Sequence, residues 1–244
     1  ASALWAAGLL LMGCTSEPAP EVATPTPSAA RELPKGEPGP TLLLAQAWFN
    51  KGPDGKPVPA PARLEILRPM PWGWAKSRLE DPESNVFHKA MIWNGGILTI
   101  GAERALLKHW TIVGEAWSSE TLYEGSWGGK FDRLRDLEIG DVDGDGADEL
   151  VLATHDQGVV VIVQPDGSAT ELDPEPDTFV HEVELGDVDG DGALEIYVTP
   201  SGRNRKGHSQ PGRVDRIRWT DGAWARETVA RSETRHAKEI LVAD

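Results

Sequence analysis

Residues 141–149 read DVDGDGADE, and residues 187–195 repeat them almost unchanged as DVDGDGALE. Each copy sets acids at positions one, three, five and nine: Asp141, Asp143, Asp145 and Glu149, then Asp187, Asp189, Asp191 and Glu195. Four carboxylates in so short a loop repel one another unless a cation sits among them. Hard oxygen ligands on a flexible loop suit Ca²⁺, which takes about six to eight oxygens. Ala147 and Ala193, at position seven, can each add a backbone carbonyl. Gly144, Gly146, Gly190 and Gly192 permit the positive φ that lets backbone fold around an ion.

The residues that follow decide which kind of loop this is. An EF-hand wants a glutamate at position twelve and a helix after it. Position twelve is Leu152 in one copy and Val198 in the other, and the loops run into ELVLAT and EIYVT. Both runs are β-prone and too short for a helix. Dockerin-type loops fail for the same reason. A bare acidic turn would not explain acids at the same four positions twice.

The pattern D-x-D-G-D-G-x-x-[DE] followed by a short strand resembles the FG-GAP repeat, also called the VCBS or integrin-alpha-like repeat. The resemblance covers roughly residues 70 to 244 and is strongest from 131 onward. It implies a β-propeller in which the calcium loop joins the first two strands of a blade. Both loops match at every ligand position, with glutamate in place of the commoner aspartate at position nine.

The repeat extends beyond these two copies. The loops start 46 residues apart, and Asn94 stands 47 residues before Asp141 at the matching place, without the acids. The chain reaches EILVAD at Asp244, similar to LEIGD and VELGD before the two loops, so Asp244 reads as the first ligand of a third loop. AWSSETL at Trp117 matches AWARETV at Trp224, with GWAKSRL at Trp74 a weaker relative. Between these markers the sequence divides into short strands split by turns. The expected fold is all-β: a partial propeller of four-stranded blades with Ca-binding loops, incomplete at its C-terminus. About three and a half blades are expected, where propellers close with about four to eight. Trp117 and Trp224 read as core between blades, and Trp72 and Trp74 in PMPWGW as exposed.

The N-terminus has a different character. The apolar run Ala3–Met12 is too short to span a bilayer but suits a signal peptide. LMGC, Leu11–Cys14, resembles the lipobox of bacterial lipoproteins, in which the cysteine is acylated. Cys14 is the only cysteine, so no disulfide forms within the chain. The stretch from Thr15 to residue 40 is rich in Pro, Ala, Ser, Thr and Glu, as in an extended tether. The expected organisation is a signal-peptide remnant at 1–13, a lipidated cysteine and tether at 14–40, and the propeller at 41–244. This predicts a protein of the bacterial cell envelope, at the outer membrane or cell surface, touching membrane only through its lipid.

Net charge and motifs narrow the function. A formal charge of −15 speaks against nucleic-acid binding and against docking on anionic lipid. G-x-S-x-G, H-E-x-x-H and the P-loop are all absent from the sequence. The reading is a non-catalytic, Ca²⁺-stabilised module that binds an extracellular protein or glycan. The alternative is a polysaccharide lyase or hydrolase on the same scaffold. His88 and His181 each stand six residues before a loop start, with Arg135 and Lys238 at the same register. Residues at equal distances before equivalent loops face the same way on a strand. These four are therefore expected at one channel mouth, taking an anionic ligand more tightly below about pH 6.5.

Overall fold

The inner strands GILTIG, ELVLAT and VVIV are mostly apolar, and every residue in them is buried. A strand can be apolar on both faces only if both faces are covered, and the architecture follows from that. The computed structural model describes residues 40–129, 132–155, 157–172, 174–203 and 207–243. Among these residues there are strands and turns but no helix.

Four antiparallel sheets follow one another along the chain. In the first, β1 (Leu42–Gln46) leads to a separate hairpin, β2 (Phe49–Lys51) with β3 (Pro57–Pro59). The chain then returns to pair β4 (Ala62–Met70) with β1, and β5 (Gly73–Asp81) with β4. The second sheet is a meander of β6 (Phe87–Trp93), β7 (Gly96–Gly101), β8 (Ala105–Val113) and β9 (Ala116–Gly125). The third repeats it with β10 (Leu134–Gly140), β11 (Glu149–Thr154), β12 (Val160–Val163) and β13 (Ala169–Leu172). In the fourth, β14 (Thr178–Gly186), β15 (Glu195–Gly202), β16 (Gly212–Thr220) and β17 (Ala223–Ser232) do the same.

Alternation on the inner strands sends side chains to two different cores. Leu150 and Leu152 of β11, with Val161 and Val163 of β12, pack toward Leu98, Ile100 and Leu107 of the second sheet. Val151, Ala153, Val160 and Ile162, the residues between, pack toward Val180, Val183, Ile196, Val198 and Ile217 of the fourth. The third sheet is therefore sandwiched. A third core joins Leu64, Ile66 and Leu79 of the first sheet to Phe87, Ile97 and Trp110 of the second. Trp117 and Trp224 pack against inter-sheet cores, whereas Trp72 and Trp74 are more than half exposed.

The leading strands of successive sheets also meet: β10 touches both β6 and β14. Polar bonds tie them together. His88 Nδ1–H donates to the Leu134 carbonyl (2.6 Å), and Val183 N–H donates to Asp136 Oδ2 (3.0 Å). Each leading strand carries an irregularity, between Phe87 and Lys89, between Leu134 and Asp136, and between Val180 and Val183. Bulges of this kind re-aim a side chain out of the regular alternation. The residues inside them are His88, Arg135, and His181 with Glu182.

Two expectations need correction. The hairpin Phe49–Pro59 was not foreseen, because its GPDGKPVP sequence reads as a linker and Pro57 and Pro59 lower strand propensity. The strand expected over Ala237–Asp244 is not formed by its described part, residues 237–243. No described strand pairs with it, and an extended segment without a ladder is not a strand. It still docks on the fourth sheet: Ser201 Oγ–H donates to the Ala237 carbonyl (2.7 Å), and Ala237 N–H approaches Ser201 Oγ (3.0 Å).

Candidate functional site

The two acidic loops occupy the same place in successive sheets, joining β10 to β11 and β14 to β15. Each is shaped by its first aspartate. Asp141 accepts the N–H groups of Gly144 (2.8 Å) and Gly146 (3.0 Å); Asp187 accepts those of Gly190 (2.7 Å), Asp191 (3.0 Å) and Gly192 (2.9 Å). Asp145 and Asp191 each accept the N–H of the alanine two residues on, Ala147 and Ala193. The turn needs Gly144 at φ 78° and Gly146 at φ 92°, a region closed to most side chains, and the second loop copies it at 77° and 91°.

The loops differ in how their acids gather. In the first, oxygens of Asp141, Asp143 and Glu149 all lie within 4.8 Å of one another. Glu149 opens β11 and is fully buried. Its Oε2 accepts Val142 N–H at 2.9 Å, but its Oε1 is buried without a hydrogen-bond partner. Burial pushes this carboxyl up; the Val142 N–H pulls it down, and Asp143, Asp145 and Asp141 add to the rise. A buried carboxylate beside two aspartates, with one oxygen that has nothing to bond, fits a hard cation.

In the second loop Asp187, Asp189 and Asp191 form the close group. Glu195, the counterpart of Glu149, is already engaged. Its Oε2 accepts Val188 N–H (3.1 Å) and Tyr197 O–H (2.8 Å), and its Oε1 accepts Arg216 Nη1–H (3.1 Å). The same Arg216 nitrogen donates to Asp189 Oδ2 (3.1 Å). A guanidinium from β16 thus supplies positive charge in the second loop, where among the described residues the first has the neutral Gln164, its Nε2 at 3.4 Å from Asp143.

At the opposite end of the leading strands, basic side chains collect around His181. His181 is 7% exposed, and neither ring nitrogen has a hydrogen-bond partner. Its ring lies 5.0 Å from that of His155 and 4.5 Å from that of His236, while His155 stacks on Phe179 at 4.1 Å. Burial, then His155, His236, Arg135 and Lys238, hold His181 down to about 3. Burial likewise holds His88 down to about 4; its bond to Leu134 opposes this, and Arg135, His155 and Arg133 add to it. Of the four residues expected together, Arg135 acts on both His88 and His181, and Lys238 on His181. Both imidazoles are held below their ordinary value because burial and neighbouring positive charge disfavour their charged forms. His155 and His236 were not foreseen here, since their positions follow from how the sheets pack rather than from register.

Carboxylates line the next positions along the same strands. Lys89 Nζ binds Asp136 (2.9 Å) and Glu138 (2.5 Å) across from β6 to β10. Glu182 is pushed up to about 7 by burial and by its hydrogen bond with Asp136.

Cys14, the tether and Asp244 lie outside the described residues. Among the described residues no helix is long and apolar enough to cross a membrane. No curated protein matches the chain closely enough to count as a relative. The family model described as FG-GAP-like repeat matches residues 141–198, the segment that holds both acidic loops and the sheet between them.

Proposed function

We propose that this protein is a calcium-stabilised, propeller-type binding module, held at a bacterial cell surface by a lipid on Cys14, that engages a protein or glycan without catalysing a reaction. One observation carries the reading. Two loops of the same shape open the second strands of successive face-to-face sheets, inside a segment that matches an FG-GAP-like repeat. Four-stranded meanders stacked in series with their leading strands side by side are the construction of propeller blades.

Asp141, Asp143, Asp145 and Glu149, with the Ala147 carbonyl, would hold one ion. Asp187, Asp189, Asp191 and Glu195, with the Ala193 carbonyl, would hold a second, and Asp244 would begin a third set. Bound Ca²⁺ would offset the carboxylate charge and stiffen the turn. The chain's own contribution is the preformed loop, in which backbone N–H groups already fix the acids at positions one and five.

The test joins metal and anchor in one preparation of the full chain. Melting in 2 mM Ca²⁺ against chelator should show a gain that Asp143→Ala with Asp189→Ala removes. Metabolic fatty-acid labelling should mark the wild type and not Cys14→Ser. An unchanged melting curve in chelator overturns the metal, and equal labelling of both proteins overturns the anchor.

A further inference from the structure

The leading strands end in a cluster that the acidic loops do not explain. Three successive sheets place a basic or imidazole side chain inside the irregularity of the leading strand, His88 in β6, Arg135 in β10 and His181 in β14. A bulge costs ladder hydrogen bonds, and three in register re-aim their side chains toward one place. His155, at the end of β11, and His236, in the docked C-terminal segment, come to the same point. His181 is buried with both ring nitrogens unpartnered, an arrangement that an ordinary core avoids. Among the described residues half-buried Arg135 and exposed Lys238 form no ion pair, although acids outnumber bases 39 to 24 in the chain.

We propose that His181, Arg135, His155 and His236 form a binding site for a carboxylate group, with His88 and Lys238 at its rim. Imidazole N–H groups and a guanidinium are donors suited to a planar anion, and Arg135 offers the paired donors that a carboxylate accepts. Cations at Arg135, Lys238 and Arg133 argue against a metal ion held by the three imidazoles. Glu182, also under the influence of Arg135, is pushed up to about 7 by burial and by its hydrogen bond with Asp136, so it adds little negative charge at pH 5.5 and opposes an anion at pH 7.5. A bound anion would satisfy the His181 nitrogens and favour imidazolium, so binding takes up protons and tightens as the pH falls. The site gives the binding module above a ligand chemistry; it rests on that reading for its role but needs neither acidic loop.

The experiment is calorimetric titration of the full chain with D-glucuronate at pH 5.5 and pH 7.5, in Ca²⁺ and in chelator. Inorganic phosphate and Zn²⁺ serve as separate titrants. Glucuronate should bind more tightly at pH 5.5 and equally with or without chelator. Arg135→Gln and His181→Gln should each weaken it by about 10- to 100-fold, the loss expected for a charge-assisted bond. Both variants are to be compared with the wild type by melting; where one is less stable, the His181 ring resonances of the wild type, shifting on glucuronate addition, decide the matter. Absence of glucuronate binding overturns the proposal, as does phosphate binding more tightly than glucuronate. Zn²⁺ binding that depends on His181 overturns it in favour of a metal site. Failure of the calcium response with glucuronate binding intact would remove the metal reading and leave this one standing.

Discussion

Replacing Glu149 with glutamine separates charge from shape in the first loop. The amide keeps an oxygen for Val142 N–H and puts a neutral NH2 donor where the unpartnered Oε1 was. At the 4.8 Å limit that bounds this group, two unit charges repel by about 0.9 kcal/mol in water and about 3.5 kcal/mol at a permittivity near 20. Asp141 and Asp143 are half-buried, so the lower figure applies to each, and removing both repulsions should stabilise the metal-free protein by about 1–2 kcal/mol. For a domain of this size that is about 2–8 °C in melting temperature. Calcium should act in the opposite sense. At 2 mM an extracellular-type site contributes about 0.6–1.8 kcal/mol, and the variant forfeits the share of the first loop. Scanning calorimetry of both proteins in chelator and in 2 mM Ca²⁺ should therefore show Glu149→Gln above wild type without calcium, with the gap narrowed or reversed when calcium is present. A variant that melts below wild type in chelator would refute the uncompensated charge. Equal calcium gains in the two proteins would refute the metal.

Arg216→Gln should lower the melting temperature in chelator and enlarge the calcium response, because Asp189 and Glu195 lose their guanidinium partner; a calcium titration that is unchanged or weaker contradicts this. Acidification should destabilise the fold: the unfolded chain takes up a proton at His181 below about pH 6.5 and the folded chain only near 3. Stability is complete above pH 6.5 and falls below it, by about 2 kcal/mol at pH 5 from His181 alone. Urea melts at pH 5 and 7.5 should show that loss in wild type and not in His181→Gln. Leu152→Ala, between the second and third sheets, should cost about 2–5 kcal/mol, while Val229→Ala on the exposed face should cost under about 0.5 kcal/mol, both read from urea midpoints.

Much of this architecture was legible in the sequence because it is local and repeated. The loop glycines, the strand alternation and the spacing of the Trp markers each depend on neighbours within a few residues. The split of Leu152 from Val151 between two cores follows from strand geometry once both faces are covered. What escaped depends on distant partners. Arg216 reaches Asp189 and Glu195 only because β16 lies beside β15. The meeting of His155 and His236 at His181 needs the packing of sheets and of the C-terminal segment. Register placed His88, Arg135 and His181 together, but not inside bulges, because a bulge exists only relative to a partner strand.

The glycine before each acidic loop ties one unit to the next. A side chain at Gly140 would meet Leu185 and Leu194 of the following sheet at 2.9 Å, and one at Gly186 would collide with Val242. At Gly140 the notch and the residues that fill it thus lie in successive units, and at Gly186 the filler is the docked C-terminal segment, so the joint behaves as a tongue and groove with a direction. A unit lifted into another chain would carry half of each joint. Recombination among such repeats would succeed most readily where notch and filler travel together, making the seam between units, rather than the single sheet, the heritable piece.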